Sequence, residues 1–313
     1  MKKRICVCAI GGNSLIKEGG GISFDDQLNT VYETCENLVS VIERGYELLI
    51  THGNGPQVGY LLLKNHLSRN FLPEEPLDCG NAMTQGQIGY MISLAMTNVL
   101  KRNRIDKEVV TVITRVLVDE KDEDFKKPSK PVGPFYTREE MEVLKRKYGW
   151  FFVEDAYRGF RRVVPSPKPK RIIEISAIRK LLEEGKIVIA GGGGGIGVIE
   201  KNGDYLGIAC VIDKDLTGSL LAKELNASLF IISTQVPYVY LNYGKKDRKP
   251  LRKVTLSEII KYYKEGHFPK GSMGPKIEAA INFLKNGGEE VIITSPENIG
   301  KALKGKVGTR IFK

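Results

Sequence analysis

Two short turns carry residue types that could hold an anion. In THGNGPQVG at 51–59 the turn holds two glycines and an asparagine, Gly53, Asn54 and Gly55, that tolerate positive φ, and Pro56 presets the first turn of a following helix. GGNS at 11–14 repeats the design at the end of an apolar run. A turn between strand and helix brings unpaired backbone N–H groups and the positive end of the helix dipole against a bound group, which favours carboxylate or phosphate. A ligand-free βα turn has the same composition, so the rest of the chain must decide. A third glycine run, 191–195, includes a G-x-G-x-x-G match at Gly192, Gly194 and Gly197. VIEKNGDYLGIA follows it, a hairpin around Asn202-Gly203 where a dinucleotide fingerprint requires a helix. That excludes a Rossmann NAD site, and the lack of any G-x-x-x-x-G-K-[ST] excludes a P-loop.

The elements that position these turns alternate. Strands are expected at 5–10, 46–50, 108–118, 186–190, 228–233, 291–294 and 309–312 from apolar runs bounded by glycine or charge. Helices are expected between them. Ser23 to Asp26 has the S-x-x-D form of a capping box, and Leu28, Val31, Cys35, Leu38 and Ile42 follow at helical spacing until Gly45. Further helices are read at 57–66, 83–101, 172–185, 255–265 and 272–285, with one opening on the charges Asp213 to Asp215. This rhythm predicts an α/β fold with a mainly parallel sheet covered on both faces and ligands at the carboxyl ends of its strands. Residues 119–170 break it with KKPSKPVGPFY, a helix near 137–148 and the strand-like YRGFRRVVPSPKP, read as an excursion from the sheet.

Composition narrows the class. At 313 residues the chain is long enough for two lobes, and no apolar stretch approaches the ~20 residues of a membrane span. The basic residues ahead of Ile5 faintly resemble a signal peptide, but Gly11-Gly12 stops the apolar run after six residues, and a first strand is expected there. Five scattered cysteines lack zinc or disulfide spacing, which predicts a reducing, cytoplasmic setting, with Cys6 and Cys8 as small buried hydrophobes on one strand face. Net charge is +11, yet lysine and arginine are interleaved with acids and no aromatic and basic RNA motif occurs. An anionic small substrate accounts for the lysines, and no nucleic acid or membrane partner is expected.

GGNSL, THGNGPQVG, MTQGQIGY, PSKPVGPFY, DAYRGFRRVVPSPKP, AGGGGG, VIDKDL and GHFPKGSMGPK stand in this order from residue 9 to the C-terminus. Their conjunction resembles the amino acid kinase family, in particular its carbamate kinases. The resemblance implies a three-layer αβα sandwich around a mainly parallel sheet, with a small protruding subdomain at 119–170. It implies an acceptor lobe over 1–208, a nucleotide-binding lobe over 209–313, and a homodimer. It also implies reversible phosphoryl transfer between carbamoyl phosphate and ADP, giving ATP and carbamate, with Mg²⁺ on the nucleotide. Such transfer asks for positioning and fixed positive charge more than for a base.

By the same resemblance Lys130, Lys214 and Lys276 hold the transferring phosphoryl group and the nucleotide phosphates, and Asp215 orients them. Gly11, Gly12, Gly53, Asn54 and Gly55 match the backbone cradle for carbamate and the transferred group, with Asn13 beside them, while His52 either joins them or braces its turn. Thr234, Val236, Met273 and Gly274 fall to the nucleotide. Two departures stand out. Many relatives carry a lysine two residues before the first Gly-Gly, where this chain has Ala9-Ile10, which makes Lys130 the donor of the missing charge. Thr234-Gln235-Val236-Pro237 stands where relatives often have an aspartate after the threonine. The rivals are another amino acid kinase with a different carboxylate or phosphate acceptor, and a non-catalytic nucleotide-binding regulator.

Overall fold

The computed structural model describes residues 3–16, 21–154, 159–269 and 272–313, with the main chain alone at Asn13 and Pro134. An eight-stranded sheet runs in the order Lys253–Thr255, Thr309–Phe312, Glu290–Thr294, Leu229–Ser233, Arg4–Ile10, Tyr46–His52, Ile187–Ile189 and Val109–Thr111. Every pairing is parallel except that of Glu290–Thr294 with Thr309–Phe312. Parallel strands buried on both faces read as continuous apolar runs, and RICVCAI is one. Cys6, Cys8 and Ile10 pack into the layer built by helices Phe24–Ile42 and Leu77–Arg102. Ile5, Val7 and Ala9 pack into the opposite layer, with Lys214–Glu224 and Met273–Lys285. The three-layer α/β sandwich is therefore present.

Chain order places the ligand end. The chain starts in the middle strand, crosses over helix Phe24–Ile42 to Tyr46–His52 on one side, and returns to Leu229–Ser233 on the other. A crevice opens at such a switch point, at the carboxyl ends of the strands. The crossover helix begins as its sequence suggests: the Ser23 hydroxyl accepts the Asp26 N–H and the Asp26 carboxylate takes that of Ser23.

Two expectations change. The strand expected over 108–118 is two strands, because the side chain of Gln85 binds both the N–H and the C=O of Thr114 and turns the chain there. Val109–Thr111 closes the main sheet, and Arg115–Leu117 joins a separate sheet with Arg171–Ile172, Ile196–Lys201 and Asp204–Gly207. The helix expected from 172 accordingly starts later, as Ile175–Glu183, after Ile172 has paired with Val116. The hairpin after the glycine run is as expected, with Asn202 and Gly203 at φ 54° and 89°.

Residues 119–170 form the excursion, of which 155–158 lie outside the described residues. Strands Lys130–Tyr136, Phe160–Val164 and Phe151–Glu154 make a small antiparallel sheet with helix Arg138–Tyr148, capped by Thr137 and Glu140. Its base is clasped. Asp122 Oδ2 accepts the Lys168 N–H at 3.0 Å, and Asp124 accepts the Ser166 N–H and the Ser129 hydroxyl. The subdomain leans on helix Gly55–Ser68, where a Cβ on Gly59 would lie 2.2 Å from the Cα of Gly133. Only glycine at 59 allows two backbones to meet that closely.

Candidate active site

The carboxyl ends of Arg4–Ile10, Tyr46–His52 and Leu229–Ser233 open into a cavity of about 460 Å³. Gly11, Gly12, Gly53, Asn54 and Gly55, the charged Lys130, Lys214, Asp215 and Lys276, and Thr234, Val236 and Met273 all line it. Gly274 is not in the wall; its N–H binds Pro269 O at 2.8 Å, and a Cβ there would stand 2.9 Å from that oxygen. It shapes the helix start. The side chain of Asn13, like Lys270 and Gly271 of the GHFPKGSMGPK stretch, lies outside the described residues.

The charges come from three separate elements. Lys130 opens the protruding sheet, Lys214 opens the helix after VID, and Lys276 lies in the first turn of helix Met273–Lys285. Lys214 Nζ is 2.6 Å from Asp215 Oδ1 and Lys276 Nζ is 2.8 Å from Asp215 Oδ2, so one carboxylate, 4% exposed, holds two ammonium groups. Lys130 Nζ is 2.6 Å from Asp213 Oδ2, while Asp213 Oδ1 caps the helix by accepting the Asp215 N–H at 2.9 Å. Burial alone would raise Asp215, but Lys214 and Lys276 outweigh it and hold the carboxyl below its ordinary range. Asp213 is likewise lowered, burial being overcome by Lys130. Burial lowers Lys214 against the pull of Asp215; at Lys276 the burial penalty is outweighed by Asp215 and the pKa is raised. Three cations against two anions leave the cluster positive.

The glycine turns divide their work. A Cβ on Gly12 or Gly55 would meet nothing within 4 Å, so both open onto free space. The N–H of Gly53 is already given to Ile10 O at 3.2 Å, and the space at its α-carbon borders the Lys214 stem, which a Cβ would meet in ordinary contact at 3.4 Å. Gly53 therefore contributes room rather than a donor. The Asn54 amide donates to Asn81 Oδ1 at 3.1 Å and Thr84 Oγ1 at 2.9 Å, which fixes the turn from behind. His52 braces it too, fully buried with Nδ1 3.0 Å from Gly53 O and its pKa pushed down by burial to about 4, so the ring is neutral.

The five-glycine run is a packing layer rather than a phosphate loop. A Cβ on Gly192 would lie 2.2 Å from His52 Nε2, on Gly193 2.3 Å from Asn54 Nδ2, and on Gly194 2.1 Å from Ile212 O. Gly191, Gly193, Gly194 and Gly195 all have positive φ. The run thus lets the second glycine turn and the start of VIDKD approach one another. Thr84 and Gln85 of MTQGQIGY hold these loops, Gln85 also donating to Gly192 O at 3.0 Å.

The profile of the Amino acid kinase family matches residues 4–295. The chain belongs to the amino acid kinase family. Its similarity to the carbamate kinase of Thermococcus kodakarensis is 49% identity over 99% of both chains, and to that of Pyrococcus horikoshii 49% over 99% of both. A solved structure described as carbamate kinase from Giardia lamblia bound to AMP-PNP superposes with a TM-score of 0.92 at 43% identity, covering 99% of each chain. This family member is accordingly a phosphotransferase of the carbamate kinase group, and its αβα fold is that of the family.

Sequence reasoning passed over several of the kinase's cavity groups. Asp213 reads as helix-start charge, and nothing in its spacing shows that it meets a lysine 83 positions earlier. Behind the cavity, Asn81 has no role assigned from sequence and Thr84 and Gln85 enter only through MTQGQIGY, although three buried amide or hydroxyl residues close together on one helix are a usable signal. Tyr240, Tyr243 and Phe268 line the cavity from segments without regular spacing.

Proposed function

We propose that the chain catalyses reversible in-line transfer of a phosphoryl group between carbamoyl phosphate and ADP, giving ATP and carbamate. The observation that carries this is the convergence of Lys130, Lys214 and Lys276 on Asp213 and Asp215 in the cavity that the Gly11-Gly12 turn also lines. Charge in such a transfer spreads over the equatorial oxygens between two oxygens in line. Preset ammonium groups in a partly dry site stabilise that charge without reorganising. Lys214 and Lys276 stand at two helix starts and hold the phosphoryl group and the nucleotide phosphates, with Asp215 keeping their spacing. Lys130 supplies the charge that Ala9 and Ile10 do not. Gly12 leaves room for a small planar acceptor, Gly11 packs its turn against Ser233 O, and Asn13 and Gly55 adjoin. Thr234, Val236 and Met273, with the aromatic rings beyond them, take the nucleotide. In this reading 1–208 is the acceptor lobe and 209–313 the nucleotide lobe.

Mg²⁺ fits this cluster as an ion brought by the nucleotide. Among the described residues no group of three or more His, Cys, Asp or Glu could hold a metal, and the oxygens of Asp213 and Asp215 already serve lysines. Phosphate oxygens would supply most of its ligands, with Asp213 or Asp215 the nearest carboxylates, and the bound ion would neutralise phosphate charge. A second copy of the chain covers the face on which Phe24 and Tyr90 stack at 6.2 Å, both exposed, beside the open edge strand Val109–Thr111. Burial pushes the Cys8 and Cys210 thiols up to about 12, so both are inert, and the free cysteines suit a reducing cytoplasm. Among the described residues no helix is long and apolar enough to cross a membrane.

The test is ATP formation from ADP and Mg²⁺ with carbamoyl phosphate against acetyl phosphate, whose methyl group replaces the amino group. A preference on the order of 10² for carbamoyl phosphate is expected, because any site group that pairs the amino N–H is left without a partner by the methyl. Equal rates would point to a different acceptor.

A further inference from the structure

We infer that Asp213 is a positioning residue that brackets Lys130 in the cavity and thereby ties the protruding subdomain to the helix carrying Lys214 and Asp215. Among the described residues Lys130 is the one cavity lysine that comes from outside the three layers, at the first position of strand Lys130–Tyr136. Its partner is not the carboxylate that serves the other two. Asp213 takes Lys130 on Oδ2 at 2.6 Å and the N–H of Asp215 on Oδ1 at 2.9 Å, so a single carboxylate links a mobile-length side chain to a helix start. Both residues line the cavity. An ammonium group has three donors, so Lys130 can keep Asp213 on one and still offer two to phosphoryl oxygens. Lysine has a long side chain with many rotamers, and the bracket removes much of that freedom before substrate arrives. Main-chain clasps by Asp122 and Asp124 fix the subdomain's base, while Asp213 fixes its working end.

This rests on the assignment of Lys130 to the phosphoryl group, and the experiment separates the two. Asp213→Asn keeps an oxygen for the helix cap and removes the charge that holds Lys130. Steady-state ATP formation is measured for the unmutated enzyme, Asp213→Asn, Lys130→Ala and the double variant, with amide hydrogen exchange over 130–136 in each. We expect kcat of Asp213→Asn to fall roughly 10- to 100-fold, as for a reacting group displaced by about 1 Å, with KM for ADP unchanged. Exchange over 130–136 should rise, and the double variant should be no slower than Lys130→Ala, since the acid acts through the lysine. An unchanged kcat in Asp213→Asn, or losses that multiply in the double variant, would overturn the bracket while leaving the phosphoryl role of Lys130 in place. If the unmutated enzyme makes no ATP, the assignment of the reaction fails, and exchange decides the bracket: a rise in Asp213→Asn supports it and no change rejects it.

Discussion

At the scale of single residues, the site is governed by what each charged or polar group already holds. Asp215 holds Lys214 and Lys276 at set positions and compensates them, which in the proposed reaction presents two ammonium groups already placed to a phosphate. His52 shows the opposite use of a titratable group, a ring kept neutral to brace a turn. Its folded pKa of about 4 lies below the ordinary 6.5, so the unfolded chain binds more protons between those values. The stabilisation is complete above pH 6.5 and is lost as pH falls towards 4, by on the order of 3 kcal/mol in all. Urea melts from pH 7.5 to 4.5 should show this decline, and His52→Gln should flatten it. A profile equally steep in the variant would remove His52 from the account.

At the scale of elements, backbone packing rather than side-chain chemistry sets the cavity. Gly193 has φ 64° and a Cβ there would come within 2.3 Å of Asn54 Nδ2, in the turn that lines the site. Gly193→Ala should cost about 1–3 kcal/mol for strain and a similar amount for overpacking, measured as a lower urea midpoint, with kcat reduced as Asn54 shifts. Native stability and activity together would contradict the packing role. The elements were largely legible in the sequence because capping boxes, glycine stops and buried runs are local signals. Ser23-Asp26 and Thr137-Glu140 cap as such signals require. The break at Thr114 was not legible, because it depends on Gln85 from another element. The site followed the same divide. The glycine turns announce themselves by composition, and the lysines were picked out by the motifs around them. The pairing of Lys130 with Asp213, and the use of Gly53 for space rather than donation, depend on long-range geometry that spacing does not encode.

At the scale of the whole molecule, the parallel sheet brings two glycine turns and the strand before Thr234 to one rim, and the protruding subdomain adds a charge from across it. The exposed Phe24 and Tyr90 lie on the outer face of the helical layer, away from that work. A second copy seated there predicts a dimer mass by sedimentation and a monomer for Tyr90→Glu; a monomeric unmutated chain would contradict it. The central claim, that preset lysines carry phosphoryl transfer from carbamoyl phosphate, is tested most directly by the rate of ATP formation in Lys130→Ala and Lys276→Ala beside the unmutated enzyme, with folding checked by melting. Losses of roughly 10² to 10³ in kcat are predicted for each, as for a lost oxyanion donor. Variants that fold and turn over within a few-fold of the unmutated chain would contradict the lysine mechanism.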